Sequence, residues 1–153
     1  MTSSLLTKST LSFLVIFSLA ACGGSSNGSA GKKASGFATG AEMSSALNTA
    51  GLPCIDYKVI AKDDREMGQE NALDVGECDV EGETVQLVVW KDNGQRDNFT
   101  GMGKALGCSM GEAFGITTFD FVDGDRWQVT GTSETLSNKI ADKLEGKAVH
   151  IKC

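Results

Sequence analysis

Hydrophobic positions along the 153-residue chain follow three regimes in turn. They crowd into one run from Leu11 to Ala20, nearly vanish from Gly23 to about Thr39, and from Ala41 onward recur at intervals of two or of three to four. An interval of two places side chains on alternate faces of a strand, whereas three to four keeps them on one side of a helix. Met43, Ala46, Leu47 and Ala50 therefore predict a helix over Ala41 to Ala50, with Gly51 placed to stop it. Leu136, Ile140 and Leu144, with Ala141 beside them, predict another, capped by Thr132 or Ser133 and ended by Gly146. A short helix is expected over Phe99 to Leu106, opening near Asp97 or Asn98, although Gly101 and Gly103 each cost it about 1 kcal/mol against alanine.

Alternation predicts six strands: Ile55 to Ile60, Ala72 to Cys78, Thr84 to Trp90, Thr117 to Val122, Arg126 to Gly131 and Ala148 to Cys153. Thr84 to Trp90 is the strongest, with Val85, Leu87 and Val89 on one face, and is expected at the centre of its sheet. Val88 and Trp90, on the other face, are either covered or form an exposed apolar spot. Val80 to Glu83 and Asp123-Gly124 read as turns. Phe119 with Phe121, and Trp127 with Val129, are expected to face the core. The fold class is α+β: an antiparallel sheet of about six short strands, two or three helices packed on one face, and two disulfides.

A hairpin centred on Glu66 fixes a definite register for the first two strands. It sets Cys54 opposite Cys78, Tyr57 opposite Val75, Val59 opposite Leu73 and Lys58 opposite Asp74, with the two cysteines on the face away from Tyr57 and Val59. That predicts a bond between Cys54 and Cys78. The final strand turns Val149, Ile151 and Cys153 one way and His150 and Lys152 the other, bringing Cys153 within reach of Cys108, just past the short helix. By loop entropy each bond contributes roughly 3 to 4 kcal/mol.

The first regime reads as an address. Lys8 is the only side-chain cation ahead of the run, and the run is about half the 20 residues that a membrane-spanning helix needs. Leu19-Ala20-Ala21-Cys22 resembles the lipobox of bacterial lipoproteins, in which an apolar residue and two small ones lead into a cysteine. The resemblance implies a diacylglyceryl thioether on Cys22, cleavage after Ala21, and anchorage on the outer side of the cell membrane, an extracytoplasmic location. The alternative is an ordinary cleaved signal peptide with a coincidental cysteine. Two acyl chains hold a protein firmly to a bilayer where one does not. Residues 1–21 are thus expected to be a signal peptide, 22–39 a flexible Gly/Ser-rich tether of roughly 20 to 25 Å mean span, and 40–153 one domain. Lys32 and Lys33 read as a solvated spot on the tether rather than a lipid-binding site.

Composition narrows the function classes. The chain has 14 Lys and Arg, of which Lys8 leaves with the address, so the mature balance is 13 against 20 Asp and Glu. Such a surface repels nucleic acid. With Cys22 acylated, Cys54, Cys78, Cys108 and Cys153 remain, an even number in an oxidising compartment. There is no CxxC, and the single histidine is His150, so neither a zinc site nor a redox motif is expected.

The remaining candidate chemistry is better explained structurally. Asp63, Asp64 and Glu66 could hold a cation but read as a solvated loop, and Asp123 and Asp125 lack the further ligands of a calcium loop. Gly103-Lys104 is followed by Ala105 where a phosphate loop needs Ser or Thr. Gly101, Gly103 and Gly107 miss the dinucleotide spacing. Asn98-Phe99-Thr100 has the form of a glycosylation acceptor, which loses most of its meaning beside a bacterial lipobox.

The order of elements, with Gly124-Asp125-Arg126-Trp127-Gln128-Val129 before a helix that ends in glycine, resembles small lipoproteins of actinobacteria. That resemblance implies no catalytic residue and no cofactor. Three roles follow as expectations. The first is a non-enzymatic module that binds a protein, peptide or envelope component, and the second is a structural or inhibitory accessory of a membrane complex. The third is an envelope hydrolase using Asp64 with Glu66, or Asp92 with Asp97, as paired carboxylates.

Overall fold

A computed structural model describes residues 36–115 and 117–153. The stretch expected to be a signal peptide, Cys22, Lys32 and Lys33 lie outside the described residues. The elements are α1 (Gly40–Thr49), β1 (Cys54–Val59), β2 (Asp74–Val80), β3 (Glu83–Val89), α2 (Asn93–Phe114), β4 (Thr118–Asp123), β5 (Trp127–Thr132), α3 (Glu134–Leu144) and β6 (Lys147–Lys152). A 3-10 turn at Lys62–Asp64 interrupts the β1–β2 loop. The six strands form one sheet in the order β1-β2-β3-β5-β4-β6, every neighbouring pair antiparallel. The expected α+β class, with six strands and two disulfides, is what forms.

One face of the sheet is sealed by α1 and α3. Met43 and Leu47 of α1, and Leu136, Ile140 and Leu144 of α3, close over Val85, Leu87, Val89, Val122, Trp127 and Val129. Both helices start at side-chain caps, Thr39 Oγ1 accepting from Glu42 N at 3.2 Å and Ser133 Oγ from Leu136 N at 3.2 Å. The packed unit reaches back to Phe37, inside the stretch read as tether, whose ring meets Trp127 edge-on at 5.5 Å. Trp127 also explains two glycines of the motif: a Cβ on Gly124 would lie 1.8 Å, and one on Gly146 2.6 Å, from its indole. Gly146 thus serves packing, and the left-handed residue that ends α3 is Glu145, at φ 56°.

Three local expectations need correcting. First, β1 pairs with β2 through Cys54↔Val80, Ile55↔Asp79, Lys58↔Glu77 and Val59↔Gly76, with a bulge between Ile55 and Lys58. Asp56 takes φ 54° there. The extra residue inverts the alternation, so Cys54 and Tyr57 both turn toward the core while Val59 and Leu73, expected on an apolar face, stay 62% and 56% exposed. Lys58 pairs with Glu77 at 2.9 Å instead of Asp74. The Cys54–Cys78 bond still forms, across a Cα separation of 5.4 Å, but it is buried in the main core rather than on the opposite face.

Second, α2 is not a short helix over Phe99 to Leu106. It spans 22 residues and opens at Asn93, where Asp92 Oδ1 accepts from Gln95 N at 2.9 Å. Cys108 therefore lies within the helix rather than past its end. This helix packs on the face of the sheet opposite α1 and α3, where Phe99 meets Trp90. Third, the β4–β5 connection is not a two-residue turn at Asp123-Gly124, because Asp123 stays in its strand opposite Gln128 and Arg126 takes the left-handed conformation at φ 62°.

The bulge has a measurable consequence at Gly76. Tyr57 lies across that glycine, and a Cβ there would sit 2.3 Å from the ring. Burial, with Asp74 nearby, holds the Tyr57 phenol above its ordinary pKa. Gly76→Ala is expected to lower the unfolding free energy by about 1 to 3 kcal/mol in urea titrations, through a clash with Tyr57, whereas Gly82→Ala, with open space around its added methyl, acts only through the strain of a left-handed φ of 85°.

Candidate functional site

The second face of the sheet is covered by α2 without being sealed. Five glycines, Gly94, Gly101, Gly103, Gly107 and Gly111, lie within this helix, and at about 1 kcal/mol each they make it poor on propensity alone. Tertiary bonds near its start and at Cys108 hold it instead. Near the N-terminus, Asn93 Nδ2 donates to Asp125 Oδ1 at 3.0 Å, Arg126 N donates to Asn93 Oδ1 at 2.7 Å, and the Arg96 guanidinium donates to Gly124 O. Further along, Cys108 is bonded to Cys153 beyond the end of β6, with 5.1 Å between Cα atoms. Phe99 packs against Trp90, with ring centroids 5.2 Å apart and planes tilted by 40°.

Between these moorings the middle of α2 stands off the sheet, leaving a groove of about 360 Å³. Its floor is Phe119 and Phe121 of β4, Gln128 and Thr130 of β5 and Ile151 of β6, and its roof is Phe99, Thr100, Met102, Gly103, Leu106 and Gly107. Gly107 brings the roof down at one end, since a Cβ there would meet Phe119 Cζ at 2.8 Å. Glu66 and Met67 of the β1–β2 loop form a side wall. That loop is tied to β3 by fully buried Gln69, whose Nε2 donates to Gln86 Oε1 at 2.7 Å, and by Gln86 Nε2 donating to Glu66 Oε1 at 2.8 Å.

The groove is mostly apolar with a polar centre. Gln128 is 1% exposed; its Nε2 donates to Thr100 Oγ1 at 2.9 Å and to Asp123 Oδ1 at 2.8 Å, while its Oε1 has no partner in the protein. Turning the amide over would press Oε1 against the Asp123 carboxylate, so this orientation is the one the surroundings select. Burial pushes the Asp123 carboxyl above its ordinary pKa, opposed by the Gln128 bond. Of the charged lining residues, Glu66 is held by Gln86, and Asp120 Oδ1 lies 2.6 Å from His150 Nδ1 across the β4–β6 pair. Lys104 at the rim makes no ion pair among the described residues.

The residues singled out from sequence disperse. Cys54, Cys78, Cys108 and Cys153 form the two expected bonds. Asp92 caps α2, Asp97 pairs with Arg96 at 2.7 Å, and Asp125 binds Asn93. Asp64 sits in the 3-10 turn, apart from Glu66's bond to Gln86. Among the described residues no three His, Cys, Asp or Glu gather as a metal site, and no helix is long and apolar enough to cross a membrane. Val88 and Trp90 are 0% and 1% exposed, covered by Ile60, Ala72 and Phe99, so they form no surface patch. Phe119 and Phe121 face the groove rather than the main core.

Gln128 and Thr100, named above only as members of other motifs, were not singled out as site residues. The available signal was the apolar pair Val88 and Trp90 on β3's second face, which implied a covering element and hence a second interior for the polar residues beside them.

The chain matches no family model, no curated protein and no solved structure.

The two bonds have unlike roles, and the difference is measurable. Cys54–Cys78 is embedded in the main core, whereas Cys108–Cys153 is reached from solvent through an open depression of about 540 Å³ lined by Lys104, Ala105 and Ser109. Replacing Cys108 and Cys153 together by serine is expected to cost roughly 2 to 4 kcal/mol. Far-ultraviolet circular dichroism should show α2 helicity lost at lower urea than the near-ultraviolet signal of buried Trp127.

Proposed function

We propose that this chain is a lipid-anchored module on the outer side of the cell membrane that binds a small molecule in the groove beneath α2 and is not an enzyme. The groove carries the reading. Ligand sites are typically concave and mainly apolar, with a few fixed polar groups and volumes of about 300 to 1,000 Å³, and this groove combines aromatic and methionine walls with Gln128 and Thr130 at its floor. Methionine side chains such as Met67 and Met102 adapt to an occupant more readily than branched ones.

Anchorage is supported by Leu19-Ala20-Ala21-Cys22 following an apolar run too short to span a bilayer. Export is supported by the pairing of all four other cysteines. The non-enzymatic reading rests on the acids: of the expected pairs, Asp92, Asp97 and Glu66 are each engaged with a backbone or side-chain partner in the fold, and Asp64 sits in the 3-10 turn apart from Glu66's bond to Gln86. The hydrolase reading requires two of them to converge on open space. The accessory reading drew on an apolar patch at Val88 and Trp90, and both side chains are buried.

Cys22→Ser tests the anchorage. Fractionation of the producing cells should find the variant released or its precursor uncut, and a variant that stays processed and fully membrane-bound would refute the lipid anchor.

A further inference from the structure

We propose that Cys108–Cys153 is a site of thiol–disulfide exchange, cleaved by a dithiol reductant while Cys54–Cys78 stays intact, and that its cleavage frees the second half of α2 from the sheet. Exchange requires a thiolate to reach one of the two sulfurs, so access decides which bond reacts. Cys54 and Cys78 are both buried in the main core. Cys153 is exposed and Cys108 half-buried. The open depression of about 540 Å³ that they line is bordered by Gly101, Ala105 and Ser109, whose side chains are too small to block an incoming thiol. Exposed disulfides are the ones that serve as labile or regulatory bonds.

The surroundings also order the step. A thiolate of the dithiol bonds to the exposed Cys153 Sγ as the S–S bond breaks, and Cys108 leaves as a thiolate. Lys104 stands one turn earlier on α2, four residues from Cys108, and lines the same depression. It makes no ion pair among the described residues. A cation there stabilises the departing thiolate, and a better-stabilised thiolate departs faster. The second thiol of the reductant, deprotonated, attacks its own partner sulfur in the mixed disulfide and expels Cys153 as a thiolate. Two electrons thus pass from the dithiol, which ends as a disulfide, to the protein. The two protons that the dithiol gives up balance those that Cys108 and Cys153 take on.

The fold supplies the consequence. The links near the start of α2, from Asn93 to Asp125 and Arg126, from Arg96 to Gly124 and from Phe99 to Trp90, contain no sulfur and outlast reduction. Beyond them Gly101, Gly103, Gly107 and Gly111 weaken the helix. The half that carries Cys108 therefore loses its covalent hold where its own propensity is least. The roof of the groove from Met102 to Gly107 belongs to that half and lifts with it, whatever the groove binds.

The test treats the full chain, purified from its producing cells, with dithiothreitol, quenches with iodoacetamide and maps the alkylated cysteines by peptide mass spectrometry. Cys108 and Cys153 should be alkylated at least ~10-fold faster than Cys54 and Cys78. On reduction the ε-methyl resonances of Met102 and Met110 on α2 should move, while that of Met43, in the opposite core, stays. Lys104→Gln should slow the exchange by about threefold or more, and Lys104→Arg, which keeps the charge, should restore it. Equal rates at the two bonds, or no reaction short of global unfolding, would overturn the exchange site. Selective reduction that leaves Met102 and Met110 unmoved would overturn the release of α2. Exchange as fast in Lys104→Gln as in the unaltered chain would overturn the part given to the ammonium.

Discussion

Along β3, Val85, Leu87 and Val89 project to one side and Gln86 and Val88 to the other, because neighbouring side chains on a strand alternate. The first set is wholly apolar, so α1 and α3 close on it and water is excluded. The second set continues across the sheet as Gln128 and Thr130 of β5, paired with Val88 and Gln86. A helix laid over amides and a hydroxyl has no complete apolar surface to close against. The sheet therefore acquires a tight core on one side and a groove on the other.

That asymmetry explains how α2 is built. A helix that contributed mainly core burial would carry a continuous apolar stripe, as α3 does with Leu136, Ile140 and Leu144. In α2 the apolar contacts are concentrated at Phe99, and glycines occupy positions where larger side chains would fill the groove or strike Phe119. Its position depends on the Asn93 and Arg96 bonds to the β4–β5 turn and on the bond to Cys153. The disulfide contributes chiefly by restricting the unfolded chain, which suits a helix whose own propensity is weak. The β1–β2 loop is held by the same economy of means, through Gln69, Gln86 and Glu66 rather than through burial of a large apolar area.

Much of this was legible in the order of residues. The strand count, helices α1 and α3, the Ser133 cap of α3, the prominence of β3 and both cysteine pairs were read from periodicity and cap chemistry, whereas the Thr39 cap of α1 lay in the stretch read as tether. The first pairing was correct although its register was not, since a disulfide spans positions that are not directly opposed. Alternation counts residues, and one bulged residue at Asp56 reverses every assignment beyond it. The extent of α2 was hidden for another reason. Its cap, Asp92, directly follows a strand and resembles a turn, and its glycines depress propensity, while the bonds that hold it come from residues 28 to 45 positions away. Gln128 was hidden because a polar residue alternating with Trp127 and Val129 ordinarily faces water. Here α2 stands in the way.

The central claim is that the sheet has one sealed face and one lightly covered face. Residue-resolved native-state hydrogen exchange on the oxidised protein measures this directly, because amides opened by local fluctuation exchange at lower free energy than those that need global unfolding. The account predicts that amides of β3, β5 and α3 exchange only through global unfolding, while amides in the middle of α2, around Gly101 to Gly107, open at distinctly lower free energy. If the middle of α2 exchanged with the same free energy as β3, the second face would be as tightly closed as the first, and the groove would not be the accessible site described.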